Sequence, residues 1–385
     1  MLEHAKRKTS ELQQRMRDEK IGFAVFTDES SIAYLAGFWG YLGIEFGRPT
    51  LLVVHADGPP TVITPLMESE MVAEMTWVED IRVWEDIGQR TWGRALAETL
   101  GDKPREVWIE KNSIPAIVRN YLDETYPGVP LKDISSLLGE MRMIKTDFEI
   151  GVMTEAGQIA AAMMAAAHES LSEGALEYES AIAVIEAGSR KAAGFLTDTG
   201  WDRFVSPMIH NLQILQSGAE TSMVHRRAGV RAYRKFDPVY FCFCNMAQFK
   251  QYKLGFDRMF HIGDVTDQAR DVQEAAIAAQ QAAIAAIRPG ITAEDVAAAA
   301  NEIYRERGYE TGYRTGRSIG VAYLEAPELK EGDKTVLKPG MTFAVDGGIS
   351  VDGVTAGRIG DSIVVTATGS DYITDYPRQI LLSKH

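Results

Sequence analysis

The chain has 385 residues, enough for two or three domains at roughly 100 to 200 residues each. Hydrophobic residues make up 45% of it and charged residues 24%, which excludes wholesale disorder and fibrous architectures. Lys and Arg number 40 against 54 Asp and Glu, a formal charge of −14, and no basic cluster is long enough to bind phosphates. We therefore expect no nucleic-acid partner.

A reducing, cytoplasmic location is predicted from the cysteines and from the apolar segments. The two cysteines, Cys242 and Cys244, are spaced one residue apart on a predicted strand, which does not suit a structural disulfide. Residues 1–20 are polar and lack the apolar core of a signal peptide. Apolar stretches such as 159–167 and 275–287 are too short, or too interrupted by Gln, to cross a bilayer, so no membrane partner is expected.

The first third of the chain alternates between helical and strand-like segments. Helices are predicted over about 3–19, 30–35, 92–100 and 114–126, and strands over 23–26, 50–54, 61–65 and 107–109. Such alternation is typical of an α/β domain, which we place at residues 1–140.

The remainder, residues 141–385, has a different texture. Ala-rich helices are predicted over 148–171, 177–187, 271–287 and 293–307, the last with Thr292 as its N-cap. Strands are predicted over 238–244, 259–262, 342–345 and 362–366. Helices and strands grouped in blocks predict a second domain of the α+β class.

Among seven histidines, His225 has the setting best suited to catalysis. It follows the turn-forming residues 216–221 and precedes two arginines, so a titrating imidazole there could reach a cavity. The alternative is a solvent-exposed histidine without a catalytic role. Asp257 and Asp346 each follow an apolar or glycine-rich run, where a carboxylate is costly unless it is paired or binds a ligand. An ion pair, for Asp257 with Arg258 or Arg358, is the other interpretation.

Four segments together resemble the creatinase/prolidase superfamily, the M24 peptidase clan, whose catalytic domain has the pita-bread fold. The segments are 46–49 (FGRP), 141–145 (MRMIK), 216–218 (QSG) followed by His225, and the stretches 314–320 and 332–343. The resemblance covers essentially the whole chain and is closest to the creatinase and ectoine-hydrolase branches. It implies a creatinase-type N-terminal domain at 1–140 and a pita-bread catalytic domain at 141–385.

The resemblance also implies that no metal and no cofactor is bound. Metal-dependent members hold a dinuclear centre with two Asp, one His and two Glu. The matching positions in this sequence are Cys242, Gly255, Arg317, Asp346 and Gly360. One carboxylate is left, and a guanidinium in the set would repel the cation that it replaces.

The catalytic site that the resemblance implies is that of creatinase, a metal-free member of the superfamily. By position, His225 matches its catalytic histidine, and Asp257 and Asp346 match its two catalytic glutamates. Arg48 matches an arginine that binds the substrate carboxylate from the neighbouring subunit, which implies a homodimer with a composite active site. The substrate-binding set predicted with it is Arg48, Phe46, Arg317, Glu325 and Tyr252. Arg317 is the candidate replacement for a second carboxylate-binding arginine, whose own position is Glu328.

These residues predict hydrolysis of a C–N bond in a small amidine- or guanidine-bearing zwitterion resembling creatine or ectoine. Two carboxylates could hold the N–H groups of an amidinium, while His225 passes a proton from water to the leaving nitrogen. Two alternatives stay open: a metal-dependent Xaa-Pro peptidase or related lyase, and a catalytically inactive small-molecule-binding protein.

Overall fold

The structure is a computed structural model that describes residues 1–88, 91–198, 204–210, 213–312 and 314–384. The chain divides into two compact units, Met1–Met141 and Arg142–His385. Each unit is built on its own sheet, and the two units are described separately below.

The first unit contains a six-stranded mixed sheet with the strand order β4-β3-β2-β1-β5-β6. Its strands are β1 (Phe23–Phe26), β2 (Leu51–His55), β3 (Thr61–Pro65), β4 (Asp80–Trp84), β5 (Val107–Ile109) and β6 (Leu131–Asp133). Its helices are α1 (Leu2–Asp18), α2 (Glu29–Ala36), α3 (Leu42–Phe46), α4 (Ser69–Met75), α5 (Trp92–Leu100), α6 (Ala116–Thr125) and α7 (Ser135–Met143), which ends just past the division between the units. β1 pairs antiparallel with β2 and parallel with β5. This confirms the α/β class.

Local signals in the sequence set where the helices of the first unit begin and end. The Asp28 side chain accepts a hydrogen bond from the Ser31 backbone N–H and caps α2, which ends at Gly37 with a φ of 80°. Thr91 caps α5 in the same way, through the backbone N–H of Arg94. Aliphatic side chains then form one core between the strands and α5 and α6.

The second unit contains a nine-stranded, mostly antiparallel sheet and four long helices. The path of strands is β13-β12-β14-β15-β11-β8-β7, with β16 beside β15 and β17 beside β11. The strands are β7 (Ile214–Ser217), β8 (Pro238–Cys242), β11 (Asp257–His261), β12 (Gly316–Ser318), β13 (Glu325–Leu329), β14 (Thr342–Val351), β15 (Thr355–Val365), β16 (Ser370–Tyr372) and β17 (Leu381–Leu382). β9 (Gln248–Phe249) and β10 (Tyr252–Lys253) form a separate pair. The α+β pita-bread class is confirmed.

The helices are α8 (Asp147–Glu169), α9 (Glu177–Asp198), α10 (Asp267–Ala286) and α11 (Ala293–Glu306). Capping boxes at Thr146 and Thr292 begin α8 and α11. α10 lies close against β14 and β15 because Gly347 has no side chain: a Cβ there would lie 2.1 Å from the Ala276 carbonyl oxygen. The alanines of α10 therefore rest on the sheet itself and bury one of its faces.

α8 is the one helix among the described residues that is long and apolar enough, by length and composition, to cross a membrane. Half of its apolar stretch is buried inside the protein. It lies along α9 and against β9 and β10. Burial of this kind is typical of a core helix, for which the same composition is needed.

One strand ends earlier than its sequence predicts. The apolar run was expected to stay extended to Cys244, but β8 ends at Cys242. The carbonyl oxygen of Phe243 accepts hydrogen bonds from the backbone N–H groups of Met246 and Ala247, so a turn begins there. Asn245 has a φ of 59°, a left-handed conformation that asparagine adopts more readily than most residues.

Candidate active site

A single row of paired residues crosses the centre of the second sheet. Cys242 of β8 pairs with Asp257 of β11, which pairs with Gly360 of β15, which pairs with Asp346 of β14. Directly paired residues point to the same face of a sheet. The register therefore brings the two predicted catalytic carboxylates together on one face, with the strand β15 between them.

Gly360 leaves the space between these two carboxylates open. A Cβ at this position would lie 2.1 Å from Oδ2 of Asp257 and 2.8 Å from Oδ1 of Asp346. Real Cβ atoms do not approach other atoms so closely, so any side chain here would displace both carboxylates. The lack of a side chain is what allows Asp257 and Asp346 to converge.

The two aspartates have different electrostatic surroundings. Asp346 accepts a hydrogen bond from Nη1 of Arg317 at 2.7 Å, so the ion-pair interpretation holds for it. Asp257 is buried and forms no ion pair with any residue that the structure describes, since Arg258 pairs with Asp361 instead. Burial, followed by the nearby charge of Asp346, raises the pKa of Asp257 well above its usual value.

Arg317 is held in place by the groups around it. Its side chain is only 5% exposed, its Nη2 donates to the hydroxyl of Tyr323, and its Cζ lies 4.5 Å from the Tyr323 ring centroid. Gly255 makes room for it, because a Cβ there would lie 3.0 Å from Nη2. The result is a fixed guanidinium beside the two carboxylates.

Two free thiols complete this face. The sulfur atoms of Cys242 and Cys244 lie 2.6 Å apart. The hydrogen bond from Cys242, together with the charge of Arg317 and the hydroxyl of Tyr323, lowers the pKa of Cys244 to about 7, although the thiol is partly buried. The same contact with Cys244, with burial, raises the pKa of Cys242.

His225 lies on an anchored loop that follows the 3₁₀ turn Gly218–Ser222. The imidazole is exposed. Its neighbour Arg226 donates two hydrogen bonds, of 2.8 and 2.5 Å, to the fully buried carboxylate of Glu177. The same carboxylate accepts from the backbone N–H of Gly229 at 2.8 Å. Glu177 therefore anchors the segment of chain that follows His225.

A second contact ties this loop to the row of aspartates. Nη2 of Arg358 donates to the carbonyl oxygen of Met223 at 3.0 Å, and Cζ of Arg358 lies 5.0 Å from the Tyr240 ring centroid. Arg358 precedes Gly360 by two residues on β15, so both lie on the same face. No described contact joins the imidazole of His225 to either aspartate, and its catalytic role stays a prediction.

The first unit positions the other predicted substrate arginine on its surface. Arg48 pairs with Asp86 at 2.5 Å, and its Nη1 donates to the sulfur of Met67 at 3.0 Å. Its side chain is 34% exposed. Phe46, at the end of α3, is 66% exposed. Both side chains are accessible on this unit.

The remaining predicted substrate residues, Glu325 and Tyr252, are engaged in buried contacts. Glu325 forms a buried ion pair of 2.7 Å with Lys145, and the hydroxyl of Tyr252 donates to Oε1 of Glu149 at 3.2 Å. These contacts do not join them to the aspartate row. Their substrate roles stay predictions, as does that of Arg317.

The donor set does not fit a dinuclear metal centre. Of the five family positions, Gly255 and Gly360 offer no side chain, and Arg317 occupies a third as a cation paired with Asp346. Within the described ranges, no group of three or more His, Cys, Asp and Glu side chains is arranged to hold a metal ion. A guanidinium hydrogen-bonded to the remaining carboxylate at 2.7 Å opposes a divalent cation.

Some residues of this site could not be found by sequence reasoning. Tyr323 lies in a loop without a motif, and Glu177 meets Arg226 across 49 residues of chain. Cys244 was assigned to a strand rather than to the turn that brings its sulfur back to Cys242. The only sequence signal for the turn was Asn245, a residue that tolerates positive φ.

Comparisons with known proteins agree with this architecture. The Creatinase/Prolidase N-terminal domain family matches residues 8–144, and Metallopeptidase family M24 matches residues 151–367. Agropine synthesis cyclase of Rhizobium rhizogenes is 28% identical over 368 residues, 89% of this chain and 88% of that protein. Creatinase of a Bacillus species is 28% identical over 400 residues, 97% of this chain and 91% of that protein.

A solved prolidase from Thermococcus sibiricus superposes with a TM-score of 0.85 at 25% identity, over 98% of each chain. Other relatives are named Xaa-Pro dipeptidase, such as that of Lactobacillus delbrueckii, 25% identical over 96% of this chain and 97% of that protein. The M24 match spans more than half of the chain. This chain therefore belongs to Metallopeptidase family M24, with a creatinase/prolidase N-terminal domain, and its relatives include creatinase, prolidases and related hydrolases.

Proposed function

We propose that this family member is a metal-independent hydrolase that cleaves a C–N bond in a small, amino-acid-like zwitterion bearing an amidine or guanidine group. The observation that carries the proposal is the convergence of Asp257 and Asp346 above Gly360. Relatives named creatinase and agropine synthesis cyclase are named for small molecules, which agrees with a substrate of this size.

Two converging carboxylates suit a planar cation with several N–H donors. An amidinium that donates to both would gain charge-assisted hydrogen bonds and a fixed orientation. Asp257 is buried without a cationic partner among the described residues, so a bound amidinium would supply the positive charge that it lacks. Burial raises the pKa of Asp257, and a bound cation would stabilise the charged form of this carboxyl.

The carboxylate of the zwitterion, at the opposite end from the amidine, needs a cationic partner. Arg317 is fixed beside Asp346 and could bind a substrate carboxylate, since its Nε has no hydrogen-bond partner among the residues that the structure describes. Arg48 is the second candidate, carried on the first unit with an exposed fraction of one third. Arg317 and Asp346 together would then distinguish the two ends of the substrate.

In the proposed mechanism, water attacks the amidine carbon while His225 accepts its proton, and the resulting imidazolium returns that proton to the departing nitrogen. Loss of that proton to His225 leaves the tetrahedral adduct neutral, and its return to the leaving nitrogen restores a positive charge, which Asp257 and Asp346 stabilise. Glu177 and Arg358 hold the loop that carries His225 in place.

We also propose a homodimer in the cytoplasm, with Arg48 presented to a second copy. Exposed apolar side chains lie near Arg48, or near its partners Met67 and Asp86, in the sequence of the first unit, and covering them would favour association. They are Tyr41, Phe46, Leu66, Met67 and Ile87, each more than half exposed. Two free thiols agree with a reducing compartment. Light scattering that gives the 42.5 kDa mass of one chain would contradict the dimer.

The experiment that tests the function is a substrate screen. The purified protein is incubated with small amidine, guanidine, lactam and betaine acids and with Xaa-Pro dipeptides, with and without a chelator, and products are identified by mass spectrometry. Chelator-resistant cleavage of an amidine or guanidine acid supports the proposal. Cleavage of dipeptides alone, or ligand binding by calorimetry without any product, would instead support one of the two alternatives.

Metal content gives an independent prediction. Protein purified without chelator should contain well under one equivalent of Mn, Fe, Co or Zn per chain, because Arg317 occupies one position of the donor set as a cation paired with Asp346. Elemental analysis by mass spectrometry measures this directly. Two equivalents of one metal, retained through gel filtration, would overturn metal independence.

Replacing Tyr323 by phenylalanine tests the role of Arg317 in binding. The change removes the hydroxyl that accepts from Nη2 of Arg317. We expect KM for the substrate found in the screen to rise up to about tenfold, with a smaller change in kcat, because one hydrogen bond contributes about 0.5–1.5 kcal/mol. Tyr178→Phe, on the surface of α9, is the control and should leave both constants unchanged. An unchanged KM in Tyr323→Phe would argue against Arg317 as the carboxylate anchor.

A further inference from the structure

The thiol pair Cys242 and Cys244, beside the row of aspartates, has no part in the proposed hydrolysis. Cys242 points to the same face as Asp257, its pairing partner, and its sulfur lies 2.6 Å from that of Cys244. If the strand stayed extended through Cys244, the two side chains would point to the same face, but their sulfur atoms would not be in contact. The contact exists because the strand ends at Cys242 and the turn after Phe243 folds Cys244 back.

We propose that Cys242 and Cys244 form a reversible two-cysteine oxidation site for peroxides. In the first step the Cys244 thiolate attacks the peroxide O–O bond, giving a sulfenic acid and releasing water or an alcohol. In the second step the Cys242 thiol attacks the sulfenic sulfur, which releases water and forms the Cys242–Cys244 disulfide. In total, two thiols are oxidised and one peroxide is reduced. An external dithiol then reduces the disulfide back to two thiols by thiol–disulfide exchange.

The surroundings assign a different role to each sulfur. Cys244 is partly exposed at the start of the turn, next to the guanidinium of Arg317 and the hydroxyl of Tyr323. Both groups stabilise a thiolate, and the pKa of about 7 agrees with that. Cys242 is 2% exposed, and its pKa is raised. Cys244 is therefore the sulfur that reacts with peroxide, and Cys242 the one that resolves the sulfenic acid.

Oxidation would alter the site beside which the pair lies. The disulfide removes the thiolate that faces Arg317, and Arg317 is the partner of Asp346. It also fixes Cys242, the strand neighbour of Asp257. Disulfide formation would thus alter the surroundings of both carboxylates. The oxidation chemistry itself does not depend on which reaction they catalyse.

The experiment uses the intact chain, in which these are the only two cysteines. Reduced protein is treated with a small excess of hydrogen peroxide at pH 7 and followed by intact mass and by thiol titration. We expect the thiol count to fall from two to zero, with a mass decrease of two hydrogens and no added oxygen, and dithiothreitol to restore both thiols. The rate should exceed that of free glutathione about tenfold, because a thiol with a pKa near 7 is about half ionised.

Two variants separate the roles of the sulfurs. Cys242→Ser should stop at the sulfenic acid of Cys244, which dimedone traps as a stable adduct. Cys244→Ser should leave the Cys242 thiol reduced under the same conditions. Phenylarsine oxide, which bridges neighbouring thiols, should bind once per wild-type chain and be lost from either variant.

Three results would overturn the proposal: both thiols surviving peroxide at the rate of glutathione, oxidation that links separate chains, or a wild-type product that carries added oxygen instead of a disulfide. The wild-type mass and titration decide the matter even where a variant fails to fold. None of these measurements uses the hydrolytic activity, so a failed substrate screen would leave the result interpretable.

Discussion

His225→Ala should lower kcat for the substrate found in the screen by about 10² to 10⁴-fold, the usual contribution of a general acid–base group. The fold should be unaffected, because the imidazole is exposed and the loop is held by Glu177 through Arg226 and Gly229 instead. Circular dichroism and the thermal midpoint of the variant should therefore match those of the wild type. Steady-state kinetics over a range of pH measure the loss and show whether a pH-dependent step disappears with it.

The control for this variant is His210→Ala. His210 is another exposed histidine of the second unit, and no role in catalysis is assigned to it. It should retain wild-type kcat and KM. If His225→Ala keeps kcat within a factor of about three, a histidine general base is excluded, and the buried carboxyl of Asp257 becomes the next candidate for proton transfer.

Arg258→Met should reduce the free energy of unfolding by about 3–5 kcal/mol, the cost of breaking a buried ion pair. Arg258 is 1% exposed and pairs with the fully buried Asp361 at 2.9 Å. It also donates to four backbone carbonyl oxygens, those of Asp257, Gly360, Tyr376 and Pro377. Methionine fills a similar volume but leaves these acceptors without their donor.

Urea unfolding followed by fluorescence measures this change, and Arg190→Met is the matched control. Arg190 lies on the surface of α9, where it pairs only with Glu186 one turn away, and its loss should cost about 0–1 kcal/mol. A cost below about 1 kcal/mol for Arg258→Met would show that Asp361 is sufficiently served by Arg378, Gln280 and Thr374.

Much of the fold could be predicted because its signals are local. The N-cap at Thr292 and the Ala-rich stretches at 148–171 and 293–307 predict α8 and α11 to within a few residues. Apolar runs predict β1, β2, β3 and β5 in the same way. These signals depend on neighbours within one or two turns of chain, which a single sequence displays directly.

The site could be predicted only in part, because its contacts are set by register. Asp257 and Asp346 are 89 residues apart in the chain, and only the pairing of both with Gly360 makes them neighbours. The family resemblance named both residues, but it could not show that Arg258 bonds Asp361 while Asp257 lacks an ion pair among the described residues. Which of two adjacent charges faces the core is decided by a one-residue register, which composition does not display.

The absence of a side chain at Gly360 also restricts how this protein can evolve. Gly360→Glu, which would install a carboxylate at a family metal position, places a side chain where those of Asp257 and Asp346 already lie. The metal would in addition require the loss of Arg317, which leaves Asp346 without its cation. Each step taken singly disrupts the present site before any new one exists. Conversion of this site into a metal centre would therefore need several substitutions at once, which a gradual series of functional intermediates does not provide.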